Sequence, residues 1–140
     1  MNRSLNYSEF WFPREQFEVR VSNELYHSRR YGTPTSILSV ELVQRSVRAA
    51  FALRRFVSTD LRRLDKAATV SDGEWAICLP QTDHLSALHV AARLAAALEA
   101  FEPIIGVATY PGDADDACSL LRAAKEHGLR SGSFRQARAS

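Results

Sequence analysis

Hydrophobic residues recur at helical spacing near the start of the chain. Those that share one face, four residues apart, are Phe17, Val21 and Leu25. Pro13 suits the first turn of a helix and Gly32 suits its end. The pattern predicts a first helix from about Pro13 to Arg30, preceded by an N-terminal lead over residues 1–12.

Four short apolar segments predict β-strands. The first covers residues 36–42, is partly alternating and is bounded by turn residues. Residues 67–70 and 75–79 flank an Asp-Gly dipeptide, which is typical of hairpin turns. Residues 103–110 form the last apolar run. The middle two segments are therefore predicted to form a β-hairpin.

Three further helices are predicted between and after these strands. The first carries an apolar stripe of Leu53, Val57, Leu61 and Leu64. The second is Ala-rich, can be capped by Thr82 or Asp83, and carries Leu85, Leu88, Ala92, Ala95 and Leu98 on one side. The last helix runs from Ala114 to about His127.

The resulting order, β-α-β-β-α-β with an extra helix at each end, predicts an α+β fold with a ferredoxin-like core. In such folds an antiparallel sheet is expected to carry its helices on one face. The 140 residues, 46% of them hydrophobic, suit one compact domain, predicted over residues 13–131. Residues 132–140 are expected to be a disordered tail.

Composition narrows the function classes. A net charge of +2 gives no bulk electrostatic reason to bind nucleic acid. Cys78 and Cys118 lack metal-ligand spacing and are expected to be buried free thiols, and the four histidines also lack such spacing. With no run of about 18 apolar residues and no signal peptide, we expect a cytoplasmic protein without a membrane span.

An Arg-x-x-Asp motif, Arg62 to Asp65, precedes the predicted hairpin. Arginine presents a planar fork of donors to anions, so the motif is a candidate anion site at the edge of the hairpin. Both residues are expected on the surface, and the alternative is an ordinary solvated ion pair at a helix end.

Several motifs, taken in order, resemble those of GGDEF domains, the bacterial diguanylate cyclases. The matching segments are Arg29 to Pro34, Arg62 to Asp65, Ser71 to Trp75, Leu79-Pro80, Ala91 to Leu94 and Ile105 to Ala108. The resemblance extends from about Phe12 to Arg130 and implies the nucleotide-cyclase-like version of the ferredoxin-like fold.

Departures from the family pattern imply that the chain does not condense GTP. Cyclases hold divalent metal with carboxylates, but Val43 replaces the second acid after Glu41, and Gly73 stands at the acid of the signature turn. Only 20 residues separate Glu41 from Arg62, which removes the segment that carries the family's guanine-recognising residues. The family's late phosphate-binding lysine is missing near Gly132. No catalytic residue, metal or cofactor is therefore expected.

The resemblance implies that the family's product-binding inhibitory site is retained. In such domains the Arg-x-x-Asp motif and an arginine of the following helix grip cyclic di-GMP, and the matching residues are Arg62, Asp65 and Arg93. The resemblance thus implies a non-catalytic cyclic di-GMP receptor that signals to a protein partner, with a possible homodimer bridged by the ligand. The alternative is a ligand-free adaptor that uses the fold as an interaction or dimerisation surface.

Two further features are interpreted as structural. The helix that carries the Leu53 stripe has a basic outer side formed by arginines 48, 54 and 55. Such a side is most often a solvated face, so nucleic-acid binding is not expected. Phe10, Trp11 and Phe12 are expected to staple the first helix, and the alternative is an exposed protein interface.

Overall fold

The computed structural model describes residues 11–130, so most of the N-terminal lead and the tail after residue 131 lie outside the described residues. The strands are β1 (Trp11–Phe12), β2 (Thr35–Leu42), β3 (Lys66–Ser71), β4 (Glu74–Pro80), β5 (Pro103–Tyr110) and β6 (Leu129–Arg130). The helices are α1 (Arg14–Tyr31), α2 (Val47–Asp60), α3 (His84–Ala97) and α4 (Ala117–Glu126), with a 3₁₀ turn at Glu99–Phe101.

The strands form one sheet in the order β1-β3-β4-β2-β5-β6. Its four central strands are antiparallel, with β2 between β4 and β5 and with β3 on the far side of β4. This arrangement confirms the predicted α+β fold with its βαββαβ core. The two-residue edge strands were not predicted; β1 runs parallel to β3, and β6 runs antiparallel to β5.

Helices cover both faces of the sheet: the two helices of the βαββαβ core, α2 and α3, lie on one face as predicted, and the two extra helices, α1 and α4, cover the other. Leu38, Val40 and Leu42 of β2 belong to a core shared with α2 and α3. Ile37, on the opposite face of the same strand, belongs to a second core shared with α1 and α4, and Phe12 packs against that core. The second core forms because several strands each place a small or apolar side chain on that face, namely Ile37, Ala76, Cys78 and Ala108.

The first helix matches its prediction closely. Phe17, Val21 and Leu25 are all buried. Gly32 ends the helix in the left-handed conformation, with φ of 69°, and its N–H donates to the Ser28 carbonyl oxygen over 2.8 Å. Glycine adopts this conformation without the steric cost that a side chain adds.

Two predicted apolar stripes are partly wrong. Helix α2 ends at Asp60, so Leu61 and Leu64 do not continue its stripe; Leu61 is extended and Leu64 is half exposed. In α3 the buried face consists largely of alanines together with Leu94, whereas Leu85 is 63% exposed. The alanines let α3 lie close to the sheet, and this close contact leaves no space there for a large side chain such as that of Leu85.

The two cysteines differ in their surroundings. Cys78 is buried in β4, and burial raises the pKa of its thiol. Cys118 is exposed on α4, so the expectation that both thiols are buried is wrong for this residue. Across residues 11–130, no helix is both long and apolar enough to cross a lipid bilayer.

Candidate ligand-binding cleft

The Arg-x-x-Asp motif forms a closed turn between α2 and β3. The Asp65 N–H donates to the Arg62 carbonyl oxygen over 3.0 Å, and the Arg62 N–H donates to Asp65 Oδ2 over 2.8 Å. The side chains pair as well, with 2.8 Å between Arg62 Nη2 and Asp65 Oδ1 and 3.3 Å from Nε to either carboxylate oxygen. The backbone and side-chain bonds together fix the orientation of the guanidinium.

The two members of the motif differ in exposure. The Arg62 side chain is 50% exposed, but the Asp65 side chain is only 3% exposed. The expectation that both residues lie on the surface is therefore wrong for Asp65. A buried carboxylate needs its charge partner, since removing one member of such a pair leaves the other uncompensated.

Arg62 also ties the motif to the end of β4. Its Nη2 donates to the Pro80 carbonyl oxygen and to Thr82 Oγ1, each over 2.8 Å. In the described part of the chain, no hydrogen-bond partner contacts its Nη1. The arginine is thus anchored on one edge of its fork, while the Nη1 donors are available to a ligand.

The three residues predicted to bind ligand line one open cleft of about 540 Å³. Arg62 and Asp65 come from the turn before β3, and Arg93 comes from α3. The nearest ion-pair partner of Arg93 is Asp60, with 3.9 Å between Nε and Oδ2 and both side chains substantially exposed. Such an exposed pair contributes under about 1 kcal/mol, so a bound anion can replace it at little cost.

Further polar residues of the cleft were not predicted from the sequence to bind ligand, among them Asp83, Ser86 and His89. Asp83 caps α3 by accepting from the Ser86 N–H over 2.8 Å, and this hydrogen bond lowers the pKa of the Asp83 carboxyl. The signal that could have found Ser86 and His89 is their spacing, since positions three and four residues apart share a face of a helix with Arg93.

The hairpin that resembles the signature turn lies at the opposite end of β4. Ser71 pairs with Glu74, and Gly73 has φ of 79°, which confirms the predicted Asp-Gly hairpin. A Cβ atom on Gly73 would lie 2.3 Å from Arg45 Nε. The turn therefore favours glycine for its backbone conformation, whereas the contact itself is with the flexible end of the Arg45 side chain, which can move away.

Two acids face each other near this turn. Glu41 of β2 is in register with Glu74 of β4. Lys125 of α4 lies 3.2 Å from Glu74 Oε2, so a lysine that the sequence analysis did not take into account reaches the turn. Burial raises the pKa of Glu74, but the Ser71 hydroxyl and the Lys125 ammonium outweigh it, and the net shift is downward.

Comparison with known proteins identifies similar folds among solved structures only. Neither the family models nor the curated proteins that were compared match this sequence. Among solved structures, the GGDEF domain of YfiN from Pseudomonas aeruginosa is similar, with a TM-score of 0.71, 23% identity, and coverage of 89% of this chain and 91% of that one.

Two further structures share the fold and were solved as complexes. The GGDEF domain of DgcB from Caulobacter crescentus, in complex with c-di-GMP, has a TM-score of 0.71 at 10% identity and covers 92% of this chain and 84% of that one. The diguanylate cyclase SiaD of Pseudomonas aeruginosa was solved in complex with its activator SiaC. It has a TM-score of 0.64 at 20% identity, and the match covers 85% of this chain and 56% of that one. The chain therefore has the fold of GGDEF domains.

Proposed function

We propose that this chain is a non-catalytic receptor for cyclic di-GMP that passes the signal to a protein partner. The observation that carries the proposal is the convergence of Arg62, Asp65 and Arg93, from two separate segments, on one open cleft. Structural neighbours solved with c-di-GMP and with a protein activator support both kinds of partner.

The cleft supplies the groups that a cyclic dinucleotide requires. In our proposal, Arg62 offers its Nη1 edge and Arg93 offers its exposed guanidinium to phosphate or to the Hoogsteen edge of guanine. Asp65 is one of the three site residues and acts mainly by holding Arg62, because its carboxylate is buried against that arginine. Asp83 is the accessible carboxylate and can accept guanine N–H groups.

A second candidate function, the ligand-free adaptor, is favoured by the outer face of α2. Val47 is 87% exposed and Phe51 is 57% exposed, and they lie one helical turn apart. Exposed apolar side chains of this size indicate a docking surface when they are contiguous. A receptor that signals to a protein partner can use the same face, so the face alone does not distinguish the two functions. Titration with cyclic di-GMP distinguishes them, because only the receptor binds it.

Arg93→Ala should weaken cyclic di-GMP binding without unfolding the protein. Losing one charge-assisted contact costs on the order of 1.5 to 3 kcal/mol, or roughly ten- to a hundredfold in Kd. Its exposed pair with Asp60 adds little stability, so the unfolding midpoint should stay unchanged. Calorimetric titration measures the first quantity and thermal unfolding the second.

Arg48→Ala is the matched control for that variant, because Arg48 is an exposed arginine of α2 that does not line the cleft. Asp72→Ala and Glu74→Ala, at the far hairpin, should also leave the affinity unchanged. Equal binding by wild type and Arg93→Ala would remove Arg93 from the site.

The second prediction is catalytic silence with GTP. The proposal rests on Val43, an exposed apolar residue just past the end of β2, and on Gly73, which has no side chain to hold a metal. Incubation of the purified chain with GTP and magnesium or manganese should yield no cyclic dinucleotide by chromatography. Product that appears with wild type and disappears in both Glu41→Ala and Glu74→Ala would refute catalytic silence.

The third prediction concerns assembly. Cyclic di-GMP is symmetrical, so a ligand held in one cleft can present an equivalent face to a second copy. Saturating cyclic di-GMP should raise the mass measured by light scattering at micromolar protein concentration, and Arg93→Ala should not respond. A monomeric mass for fully liganded wild type would show that one chain completes the site alone.

A further inference from the structure

A second cavity, of about 260 Å³, lies on the opposite face of the sheet from α2 and α3. Its walls come from α1 and α4, and its floor comes from β2 and β4. Phe17, Ala76 and Leu121 give it a largely apolar lining. We propose that this cavity binds a small hydrophobic carboxylate, with the apolar body against this lining and the anionic group at the mouth.

The cavity reaches down to the sheet because the residues on its floor have small side chains. Ser39 of β2 is in register with Ala76 of β4 on one side and with Gly106 of β5 on the other. Helix α4 closes over Gly106, where an added Cβ would lie 1.8 Å from the Ala124 carbonyl oxygen. Ser39 and Ala76 remain at the bottom of the cavity, and Ser39 is partly exposed although β2 is the central strand.

The lining of the cavity carries a net positive charge. Its cations are Arg14, Arg122 and Lys125, and its anions are Glu18 and Glu74. Lys125 and Glu74 pair with each other at 3.2 Å. Within residues 11–130, no carboxylate lies within ion-pair distance of Arg14 or Arg122, and Arg122 Nη2 lies 3.7 Å from Cys118 Sγ. The pKa of the Asp116 carboxyl is lowered mainly by hydrogen bonds from Ser119 and further by the charge of Arg122.

The floor adds one polar group. The Ser39 hydroxyl has no hydrogen-bond partner in the part of the chain that the structure covers. A hydroxyl in an apolar cavity favours a ligand with a polar atom at that depth, because an unmade hydrogen bond is costly once water is excluded. The apolar lining, the net positive charge and the hydroxyl on the floor together favour a hydrophobic carboxylate as the ligand. This inference is independent of cyclic di-GMP binding.

Calorimetric titration of the full chain with 2-naphthoate, alongside the neutral 2-naphthalenemethanol, tests this inference. The carboxylate should bind wild type at least about fivefold more tightly than the alcohol, and Arg122→Gln should remove that difference, since a charge-assisted contact is lost. Arg48→Gln, on the other face of the sheet, should leave the affinities for both compounds unchanged. Absence of 2-naphthoate binding by folded wild type would overturn the proposal.

Ser39→Leu should abolish binding of both compounds by filling the floor. Ala76→Val offers a second, smaller filling in case the leucine variant does not fold, and it should weaken both compounds. If a folded filling variant binds 2-naphthoate as tightly as wild type, the compound lies elsewhere and the cavity is not the site. Retained cyclic di-GMP binding by these variants would show that the two sites are separate.

Discussion

Arg62→Ala should weaken cyclic di-GMP binding by roughly ten- to a hundredfold and should also lower the free energy of unfolding. The second effect follows from Asp65, whose side chain is only 3% exposed and whose charge partner would be lost. Breaking a fully buried pair costs 3 to 5 kcal/mol, but Arg62 is half exposed, so we expect about 1 to 3 kcal/mol. Urea unfolding and calorimetry measure the two effects separately.

A double variant separates the stability effect from the binding effect. Arg62→Ala combined with Asp65→Ala removes both members of the pair, so no buried charge is left unpaired. It should regain part of the lost stability while binding cyclic di-GMP no better than Arg62→Ala alone. The model of a positioned arginine would be contradicted if Arg62→Ala kept both the affinity and the unfolding midpoint of wild type.

Gly106→Ala should have the largest effect on stability. An added Cβ would lie 1.8 Å from the Ala124 carbonyl oxygen and 2.9 Å from the Gly128 backbone nitrogen. Backbone atoms cannot rotate away as a flexible side chain can, so α4 must shift from the sheet. We expect a loss of about 3 kcal/mol, at the upper end of overpacking effects.

Gly112→Ala is the control for that substitution. The nearest atom to its added Cβ would be the Thr109 carbonyl oxygen, at 3.9 Å, an ordinary contact. The two variants should be compared by urea unfolding at the same temperature. Equal midpoints would show that α4 does not depend on close approach at Gly106.

Periodicity predicted most of the fold because the core elements are long. The four central strands and four helices each carry a hydrophobic pattern. Strands β1 and β6 have two residues each, too few for any pattern, and their pairing depends on the finished sheet edges. The C-terminal end of α2 was misplaced because Leu61 and Leu64 continue its spacing by coincidence. The helix stops at Asp60, and the extended backbone at Leu61 leads toward β3.

The sequence identified three residues of the cleft, two through a local motif and Arg93 through the family resemblance, but not how they are held. Arg62 and Asp65 stand out as a local motif, whereas the hydrogen bonds from Arg62 to Pro80 and Thr82 join residues 18 and 20 positions apart. Burial of Asp65 depends on that tertiary packing. The approach of Lys125 to Glu74 likewise spans 51 positions and follows only from the docking of α4 on the sheet.

Titration of the folded wild-type chain with cyclic di-GMP, with GTP as the matched control, tests the central claim most directly. Our proposal predicts saturable heat with cyclic di-GMP and none with GTP at the same concentrations, because the proposed site takes a cyclic dinucleotide and Gly73 cannot supply a metal-binding carboxylate for GTP. If cyclic di-GMP produces no binding heat with protein shown to be folded, the receptor function is wrong and the adaptor function takes its place.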